Sequence, residues 1–447
     1  MEKIYFVGIN GIGMSGLAKI MKCQGYDVVG ADLTRNYVTE ELENLGITVY
    51  PEHKACQMED RDSLIASSAI HSDNPEFQYA KEHNIPLMKR GELLASLLNP
   101  KLGIAVAGTH GKTTTSSMMS ATMLSLDPTI VVGGILPEIA SNAKVGMGEY
   151  FIAEADESDN SFLFMRPKYA IITNIEEDHL ETHGNLENIK KSFRQFVDQT
   201  ERQVLVCKDC VNVRSVFSEN EKITSYGIEQ EADIMAKNIE IVDGKTSFEV
   251  WTEGENQGRF SISIPGKHNI LNSLPVIYFA LKFGVSKEEI QDKLLHFRGS
   301  KRRYDILYWD QEKNRKIIDD YAHHPTEIQA TLKGVKSIET GKIIGIFQPH
   351  RYSRVQFLLE RFGNCFEGLD ELVLLPIYSA GERNDSGISE KDIANLIENI
   401  PVTCIERKEE VVKKLLKEAK EKNHIFIFMG AGDISKLAHE VADRLQK

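Results

Sequence analysis

The segment Gly108-Thr-His-Gly-Lys-Thr-Thr114 combines the residue types of a loop that binds phosphate. It follows the apolar run Ile104–Ala107 and leads into a stretch, Thr113–Leu126, that we expect to be helical. In such a loop, backbone N–H groups surround a triphosphate, Lys112 reaches the β- and γ-phosphate oxygens, and a threonine hydroxyl holds Mg²⁺. Val106 occupies the position of the first glycine in the full motif. The Gly-Lys-Thr core between a strand and a helix still predicts an ATP site.

Acidic side chains follow an apolar strand farther along the chain. The segment Glu154-Ala-Asp-Glu-Ser-Asp159 continues the predicted strand Tyr150–Ala155. Carboxylates beside a phosphate loop usually hold Mg²⁺, and we favour Glu154 as the ligand, with Glu157 as the alternative. A solvated acidic turn is the other interpretation of this segment.

A histidine ends a second polar segment, Asn174-Ile-Glu-Glu-Asp-His179, which follows the predicted strand Tyr169–Thr173. A lone histidine is more often structural than functional. Sites in α/β proteins, however, are built at the carboxyl ends of strands. We therefore expect His179 to bind a metal ion or to orient a water molecule on one.

A separate glycine loop lies near the start of the chain, at Gly11-Ile-Gly-Met-Ser-Gly16. Glycines let the backbone approach a pyrophosphate, and the following helix contributes N–H groups and a positive dipole end. Asp32 closes the second predicted strand, where an acid that contacts a ribose would lie. Taken alone, this pattern also fits an NAD-dependent oxidoreductase, or a turn between strand and helix that binds no nucleotide.

The two glycine loops together are more informative than either one alone. An oxidoreductase has no use for an ATP loop, and a motor or kinase needs no dinucleotide-type domain in front of it. The pair therefore predicts an anionic, nucleotide-like substrate in the first domain and ATP in the second. A regulator that binds nucleotide without catalysis is the alternative from another class.

Two further groups of residues give weaker signals. Asn269 and Asn272 are three residues apart at a predicted helix start, so they share a face and could contact an adenine or a ribose. A capped helix is the simpler interpretation. Arg302 and Arg303 precede the last region and could bind phosphate or belong to a solvated linker.

The elements that position these residues alternate between strand and helix, which predicts α/β domains with parallel sheets. We place boundaries near Asn99–Pro100 and before the basic segment Arg298–Arg303, giving three domains at 1–99, 100–297 and 298–447. The strands expected in these domains are Ile4–Val7, Tyr26–Gly30, Leu64–Ala66, Gly103–Ala107, Tyr150–Ala155, Tyr169–Thr173, Ile262–Pro265, Lys316–Asp319, Lys342–Phe347, Leu372–Pro376 and Ile425–Met429.

Composition excludes several classes of protein. The 447 residues carry 53 basic and 66 acidic side chains, a net charge of −13, which argues against nucleic acid and a polybasic membrane surface. No apolar run approaches a membrane span, and six cysteines are too few for a disulfide framework. We therefore expect a cytoplasmic protein; its oligomeric state stays open.

The chain resembles the Mur ligase family, and within it the members that add L-alanine. The resemblance extends over essentially the whole chain, because the motifs that carry it occur in order from end to end. They are Gly11-Ile-Gly-Met-Ser-Gly-Leu-Ala18, Ala107-Gly-Thr-His-Gly-Lys-Thr-Thr-Thr115, Glu154-Ala-Asp-Glu-Ser-Asp159, Asn174-Ile-Glu-Glu-Asp-His179, Asp319-Asp-Tyr-Ala-His-His-Pro-Thr-Glu327, Phe347-Gln-Pro-His-Arg-Tyr352 and Gly430-Ala-Gly-Asp433.

The resemblance implies an N-terminal Rossmann-like domain for a UDP-sugar, a central P-loop ATPase-like domain and a C-terminal Rossmann-like domain for the amino acid. It implies UDP-N-acetylmuramate and L-alanine as substrates, with ATP and Mg²⁺ as cofactors. ATP would phosphorylate the lactyl carboxylate, and the alanine amine would attack the acyl phosphate. The nearest alternative is a recycling ligase of the same family that joins a preformed murein peptide to the same UDP-sugar.

The resemblance also implies roles for individual residues of the first two domains. Those expected to contact the UDP-sugar are Gly11, Gly13, Met14 and Ser15 at the diphosphate, and Asp32, Ser67 and Ser68 near the uridine. Those expected to hold ATP are Gly108, Thr109, His110, Gly111, Lys112, Thr113, Thr114, Asn269 and Asn272. The metal would be held by Thr113, Glu154 and His179.

The remaining implied roles lie in the third domain. Arg303 would serve the γ-phosphate and Asp320 would support nucleotide binding. Tyr321 and His323 would shape the alanine pocket, and His323 is also a candidate base for the amine. His350, Arg351 and Arg354 would lie nearby.

Overall fold

The computed structural model describes residues 2–67, 70, 73–217, 221–242 and 244–446. The chain falls into two compact units. The first comprises Met1–Lys237, Val250–Gly258 and Leu271–Lys293, and the second comprises Asn238–Glu249, Arg259–Ile270 and Leu294–Lys447. Among the described residues, no helix combines the length and apolarity needed to span a bilayer.

The first unit begins with a parallel sheet, as the alternating pattern predicts. The elements are β1 (Lys3–Val7), α1 (Ile12–Cys23), β2 (Asp27–Ala31), α2 (Tyr37–Asn44), β3 (Thr48–Tyr50), β4 (Ser63–Ala66), α3 (Pro75–Glu82), β5 (Leu87–Lys89) and α4 (Arg90–Leu98). The sheet order is β3-β2-β1-β4-β5, and all four pairings are parallel. The strand order therefore reverses direction beside β1, the position at which open α/β sheets bind ligands.

The same unit contains the strands around the ATP-type loop. The elements are β6 (Leu102–Ala107), α5 (Lys112–Thr122), β7 (Thr129–Leu136), β8 (Ser141–Lys144), β9 (Tyr150–Glu154), β10 (Tyr169–Ile172), α6 (Leu180–His183), α7 (Leu186–Gln199), β11 (Gln203–Cys207), α8 (Val211–Val216) and β12 (Ile223–Gly227). These strands run in the order β12-β11-β10-β6-β9-β7-β8, and only the β7–β8 pairing among them is antiparallel.

The next elements cross the division between the two units. They are β13 (Ile234–Val242), β14 (Lys245–Thr252), β15 (Glu255–Ile262), α9 (Lys267–Lys282) and α10 (Lys287–His296). The strand expected at Ile262–Pro265 is wrong, since β15 ends at Ile262 and the chain then turns into α9. Pro265 has no N–H to donate to a neighbouring strand, so this position suits a segment that leads into a helix better than a strand. The helix expected at Thr113–Leu126 is shorter, ending at Thr122 before a 3₁₀ turn.

The rest of the second unit is again α/β. Its elements are β16 (Asp305–Asp310), β17 (Arg315–Asp320), α11 (Pro325–Ile338), β18 (Lys342–Phe347), α12 (Tyr352–Phe362), β19 (Glu371–Leu374), α13 (Glu390–Ala394), β20 (Val402–Cys404), α14 (Lys408–Glu418), β21 (His424–Met429) and α15 (Ile434–Gln446). The sheet order is β16-β17-β21-β18-β19-β20, parallel except at β16. The four strands predicted here lie in β17, β18, β19 and β21, although β19 ends before Pro376.

Buried strands explain why the sequence pattern could be recognised. Every residue of β21 and all but the first of β18 are buried, and layers of apolar side chains cover both faces of this sheet. Parallel strands covered on both faces are apolar along their whole length, so they appear in the sequence as short continuous hydrophobic runs. The α/β fold class predicted from the sequence is confirmed.

Candidate active site

The loop between β6 and α5 is shaped by glycines at two left-handed positions. Gly108 has φ +142° and Gly111 has φ +82°, conformations that side chains rarely adopt. A Cβ atom on Gly111 would lie 2.7 Å from Oδ1 of Asn272. Gly111 caps α5, which has no side-chain cap and no acidic residue in its first turn. The N-terminus of α5 therefore retains the partial positive charge that favours a phosphate.

Residues directly after β10 form hydrogen bonds with the backbone of this loop. The Asn174 side chain accepts a hydrogen bond from the His110 backbone N–H (2.8 Å), and the Asn174 carbonyl accepts one from Thr109 N–H (3.1 Å). The Thr173 hydroxyl donates to the His110 carbonyl at 2.6 Å. Thr114 lies in the buried first turn of α5. The loop conformation thus depends on its neighbouring strand as well as on its own glycines.

The Lys112 ammonium lies inside the loop. Its Nζ donates to the carbonyls of Gly108 (2.6 Å) and Thr109 (3.1 Å) and to Oε1 of Glu157 (2.9 Å). Burial disfavours the charge of Lys112, but Glu157, Asp156 and then Glu154 raise its pKa. Burial raises the pKa of Glu157 to about 7 despite the opposing effect of Lys112. A carboxylate of the chain therefore holds the lysine that we expect to bind phosphate.

Glu154 and Glu157, the two candidate metal ligands, have different partners. The Thr113 hydroxyl lies 3.0 Å from both carboxylate oxygens of Glu154, and Oε2 of Glu154 also accepts from Gly133 N–H at 2.9 Å. Glu157 instead pairs with Lys112. Two oxygen donors of the kind that Mg²⁺ prefers, a hydroxyl and a carboxylate, therefore meet at Thr113 and Glu154.

His179 occupies a separate position at the start of the short helix α6. It has φ +51°, and its backbone N–H donates to Oδ1 of Asp178 at 2.9 Å. Its ring nitrogens lie 3.6 Å from Asp178 and 3.4 Å from Glu181. The metal-binding role of His179 stays a prediction.

The side chains of Asp32 and Asn10 hold the first glycine loop through hydrogen bonds to backbone groups. Oδ2 of Asp32 accepts from Asn10 N–H and Oδ1 accepts from Thr34 N–H, each at 3.0 Å. The Asn10 amide in turn donates to the Thr34 carbonyl at 2.7 Å. Asp32 therefore joins the loop after β1 to the loop after β2. Its expected contact with uridine stays a prediction.

In the residues after Asn10, the surface of this loop consists mainly of backbone atoms. Gly11 caps α1, which has no side-chain cap and no acidic residue in its first turn. The side chains of Met14 and Ser15 are buried, and the Ser15 hydroxyl donates back to the Ile12 carbonyl. A ligand at this loop would therefore meet N–H groups rather than these side chains. Ser67 follows β4 and packs beside Gly8, whereas Ser68 lies outside the described residues.

The fold brings to the first loop a cation that none of the sequence motifs contains. Arg90 begins α4, and a Cβ atom on Gly13 would lie 3.2 Å from its Nη1. Its Nη2 donates to Oδ2 of Asp156 at 3.1 Å. The only signal in the sequence is a pair of basic residues, Lys89 and Arg90, after Leu87 and Met88.

The residues expected to bind the amino acid lie in the second unit. The guanidinium carbons of Arg302 and Arg303 lie 4.8 and 4.9 Å from the ring centroid of Tyr321, within the range of cation–π attraction. Nδ1 of His323 lies 2.9 Å from the Tyr321 carbonyl and 3.3 Å from a Glu327 carboxylate oxygen. Both neighbours accept hydrogen bonds, so Nδ1 carries a proton.

A second group of basic residues lies close to His323. The His350 ring lies 6.0 Å from the His323 ring and stacks on Tyr378, and its Nδ1 lies 3.3 Å from a guanidinium nitrogen of Arg354. Burial lowers the pKa of His350 to about 3, helped by the charges of His323 and Arg354. Arg351, at φ +68°, precedes α12. The group is suited to an anion such as an amino-acid carboxylate.

Two other candidates have structural partners in the second unit. Asp320 is buried, and its two carboxylate oxygens accept from the backbone N–H groups of Tyr304 and Ala322, both at 2.8 Å. Burial raises the pKa of Asp320 to about 6. The Asn269 amide donates to the Pro265 carbonyl at 2.6 Å. The nucleotide-binding roles of these residues stay predictions.

Comparison with known proteins gives matches along the whole chain. The family model described as "Mur ligase family, catalytic domain" matches residues 3–102, "Mur ligase middle domain" matches 106–280, and "Mur ligase, glutamate ligase domain" matches 302–432. A UDP-N-acetylmuramate–L-alanine ligase of Fusobacterium nucleatum is 59% identical over 100% of this chain and 97% of that protein.

Solved structures give the same result. A UDP-N-acetylmuramate–alanine ligase from Thermotoga maritima superposes with a TM-score of 0.86 at 31% identity, covering 100% of this chain and 99% of that one. A murein peptide ligase from Psychrobacter arcticus gives a TM-score of 0.72 at 21% identity, with the same coverage, which shows a shared fold. The three-domain α/β architecture expected from the sequence is confirmed by these matches.

Proposed function

The chain belongs to the Mur ligase family, and on that premise we propose that it is an ATP-dependent ligase that joins L-alanine to the lactyl carboxylate of UDP-N-acetylmuramate. The reaction releases ADP and phosphate and belongs to peptidoglycan precursor synthesis. The observation that carries this conclusion is the 59% identity, along the entire chain, to a protein named for the reaction. The local geometry is consistent with it, because the ATP-type loop has its lysine, threonine and carboxylates in contact.

The chemical requirement is to activate a carboxylate that is itself a poor electrophile. A lactyl oxygen attacks the γ-phosphorus of ATP and ADP leaves, which gives an acyl phosphate. The alanine amine then attacks the acyl carbon and phosphate leaves, so an amide forms. The first step brings anions together, and a chain of net charge −13 must therefore neutralise them with local cations.

Lys112 is the first such cation. Its Nζ is held by two loop carbonyls and by Glu157, so its position is fixed before ATP arrives. When the triphosphate binds, the ammonium exchanges the carboxylate of Glu157 for phosphate oxygens. The backbone N–H groups at the start of α5 contribute further donors.

The second cation is Mg²⁺, which we assign to Thr113 and Glu154, with His179 as a further candidate. The hydroxyl and carboxylate in contact are the donor types that this ion prefers. Bound there, Mg²⁺ would neutralise charge on the phosphates. Glu154→Gln should raise the Mg²⁺ concentration needed for half-maximal rate, and an unchanged Mg²⁺ requirement would count against the assignment.

Residues of the second unit would bind the amino acid and activate its amine. The guanidinium groups of Arg351 and Arg354 suit the alanine carboxylate, and Arg303 the γ-phosphate. His323 is our candidate base for the amine, because a proton on Nδ1 leaves the lone pair on Nε2. The burial of His350 keeps that ring neutral and limits repulsion of the incoming ammonium form of alanine.

The test is phosphate release with ATP, Mg²⁺ and UDP-N-acetylmuramate while the amine substrate is varied, with mass spectrometry of the product. We expect release with L-alanine and a product that contains one alanine. Release only with a preformed murein peptide would support the recycling ligase instead. Binding of ATP without any release would support a regulator that lacks catalysis.

Two further expectations accompany this function. We propose domain boundaries at 99/100 and 297/298, so limited proteolysis should yield fragments that end near Pro100 and within Arg298–Arg303. We also propose a cytoplasmic location, because ATP and UDP-sugars are cytoplasmic metabolites. Fractionation of cells that produce the tagged chain would test this.

A further inference from the structure

Arg90 contacts the first glycine loop and pairs with Asp156, an acid whose charge interacts with Lys112 of the second loop. Its guanidinium packs against Gly13, where a Cβ atom would lie 3.1 Å from Cδ and 3.2 Å from Nη1. Its Nη2 donates to Oδ2 of Asp156, which is its only hydrogen bond among the described residues. The side chain is 16% exposed, and its other nitrogens lie beside the first loop, because a Cβ atom on Gly13 would be 3.2 Å from Nη1 and 3.6 Å from Nε. An arginine in this position can bind an anion without losing its carboxylate partner.

The position of Arg90 is determined from two sides. It begins α4 directly after β5, at the carboxyl edge of the first sheet. The next residue, Gly91, is so close to Ser161 that a Cβ atom there would overlap its side chain. Asp156 is also fixed, because its Oδ1 accepts from Ser158 N–H at 3.0 Å and its carbonyl accepts from Phe162 N–H at 3.1 Å. The arginine and its anchor are therefore preorganised.

Asp156 connects this arginine to the ATP-type loop. Burial alone would raise the pKa of Asp156, but Arg90 and then Lys112 lower it below its usual range. Lys112 in turn pairs with Glu157. Alternating charges thus run from Arg90, which packs against Gly13, through Asp156 and Lys112 to Glu157.

We propose that Arg90 binds the diphosphate of UDP-N-acetylmuramate at the first glycine loop and reduces its repulsion of the ATP phosphates. The inference rests on the proposed function, which places one polyanion at each loop. Like charges at neighbouring sites oppose each other's binding, and a fixed cation between them weakens that opposition. The N-terminus of α1 has no side-chain cap, and the guanidinium of Arg90 packs against its first turn.

The experiment measures binding of UDP-N-acetylmuramate by calorimetry, with and without Mg²⁺ and a nonhydrolysable ATP analogue. The variants are Arg90→Met, which keeps an apolar stem, and Arg90→Lys, which keeps the charge without the fork. We expect Arg90→Met to weaken UDP-sugar binding roughly 10- to 100-fold, because a charge-assisted contact is lost. The loss should grow a further ~3-fold or more when the nucleotide analogue is present. Arg90→Lys should show a smaller loss that does not grow.

The chain offers a matched control in the same sheet. Arg61 is 17% exposed and forms a 2.8 Å ion pair with Asp27, much as Arg90 pairs with Asp156. It precedes β4, at the amino edge of the strands and away from the glycine loop. Arg61→Met should leave UDP-sugar affinity within ~2-fold of the unmodified chain, because it removes a comparable pair without facing the ligand.

Several outcomes would overturn the inference. Unchanged UDP-sugar affinity in Arg90→Met would remove Arg90 from the site, and an equal loss with and without nucleotide would exclude the screening role. UDP serves as a second probe: an equal loss for UDP is expected, and a loss confined to UDP-N-acetylmuramate would place Arg90 at the lactyl group instead.

A further variant covers the case in which Arg90→Met fails to fold. Asp156→Asn retains the arginine but loosens its anchor, so we expect a ~3- to 10-fold loss for UDP. Full UDP affinity in this variant would contradict the preorganised position. Failure of the unmodified chain to bind UDP-N-acetylmuramate at all would refute the proposed function rather than the assignment of Arg90.

Discussion

The two glycine loops of the first unit share one backbone design and differ in the source of their charge. Each follows a central strand, β1 or β6, that pairs in parallel with both of its neighbours, and each leads into a helix whose N-cap is a glycine. Neither helix has a side-chain cap or an acidic residue in its first turn. By contrast, α2, α3 and α7 are capped by asparagine and have a glutamate there. The first-turn N–H groups of the glycine-capped helices are thus left for a ligand.

The difference lies in how each loop obtains a cation. The second loop contains its own, Lys112, which is held by Glu157. The first loop contains no charged residue between Gly11 and Gly16, and Arg90 reaches it from α4. A loop that includes its cation can be recognised as a motif. A loop whose cation comes from another element depends on the fold for its electrostatics.

The largest effect is expected from a substitution that changes the second loop alone. Lys112→Met should lower the rate of phosphate release by ~10³-fold or more, about 4 kcal/mol, because the transition-state charge loses a positioned cation. UDP-sugar binding should stay within about 2-fold, since the first loop has a separate cation. Calorimetry and a phosphate-release assay measure the two quantities.

A matched pair of variants separates this loss of function from misfolding. Lys112→Met leaves the buried Glu157 without its lysine, so the double variant Lys112→Met/Glu157→Gln should recover stability but not activity. Recovery of ligation in the double variant would show that Lys112 serves the fold rather than ATP.

The next effect concerns the pH dependence of the second loop. Glu157 has a pKa of about 7 in the folded chain against an ordinary value of 4.5, so the folded state binds more protons between these values. Its contribution to stability is therefore complete below pH 4.5 and is lost as the pH rises to 7, by at most about 3 kcal/mol. Glu157→Gln should flatten this part of the pH profile in urea unfolding of the ligand-free chain. An unchanged profile would mean that Glu157 is already ionised at pH 5.

A steric change at the first loop should have an intermediate effect. Gly13→Val should weaken UDP-sugar binding ~30-fold, about 2 kcal/mol, by crowding Arg90 and the space for a diphosphate. ATP-analogue binding measured alone should change little. Gly13→Ala is the matched control, and its affinity for the UDP-sugar should lie between those of the unmodified chain and Gly13→Val. Equal losses for both ligands would show that the loops do not act as separate sites.

The smallest effect is expected from a substitution of Asp32, which tests how this residue acts on ligand binding. Asp32→Asn retains one acceptor oxygen for the two backbone N–H groups that the carboxylate now holds, so UDP-sugar binding should weaken ~5-fold, about 1 kcal/mol. The loss should be similar for UDP and for uridine if Asp32 acts only through the loop. A loss restricted to ligands with a ribose hydroxyl, tested with deoxyuridine analogues, would instead indicate direct contact.

Much of the site could be predicted from the sequence because its signals are local. A glycine turn, a lysine beside it and an apolar strand before it are encoded by neighbouring residues, so the ATP-type loop and the strands β1, β6, β9 and β10 were predicted close to their observed bounds. The family resemblance had the same basis, since each motif is a short continuous segment. The prediction of a strand at Ile262–Pro265 is wrong because a short apolar segment alone does not distinguish a strand from a segment that leads into a helix.

The sequence by itself determined the α/β class, the two glycine loops that each join a strand to a helix, and the residue types present in them. Only the tertiary structure decided which polar and charged groups meet: the Thr113 hydroxyl with Glu154, Lys112 with Glu157, and Arg90 with Asp156 beside Gly13. It also showed that Asp32 and Asp320 bind backbone N–H groups. The physical reason is that strand order and register bring together residues distant in sequence, and electrostatic interaction depends on that separation in space rather than on spacing along the chain.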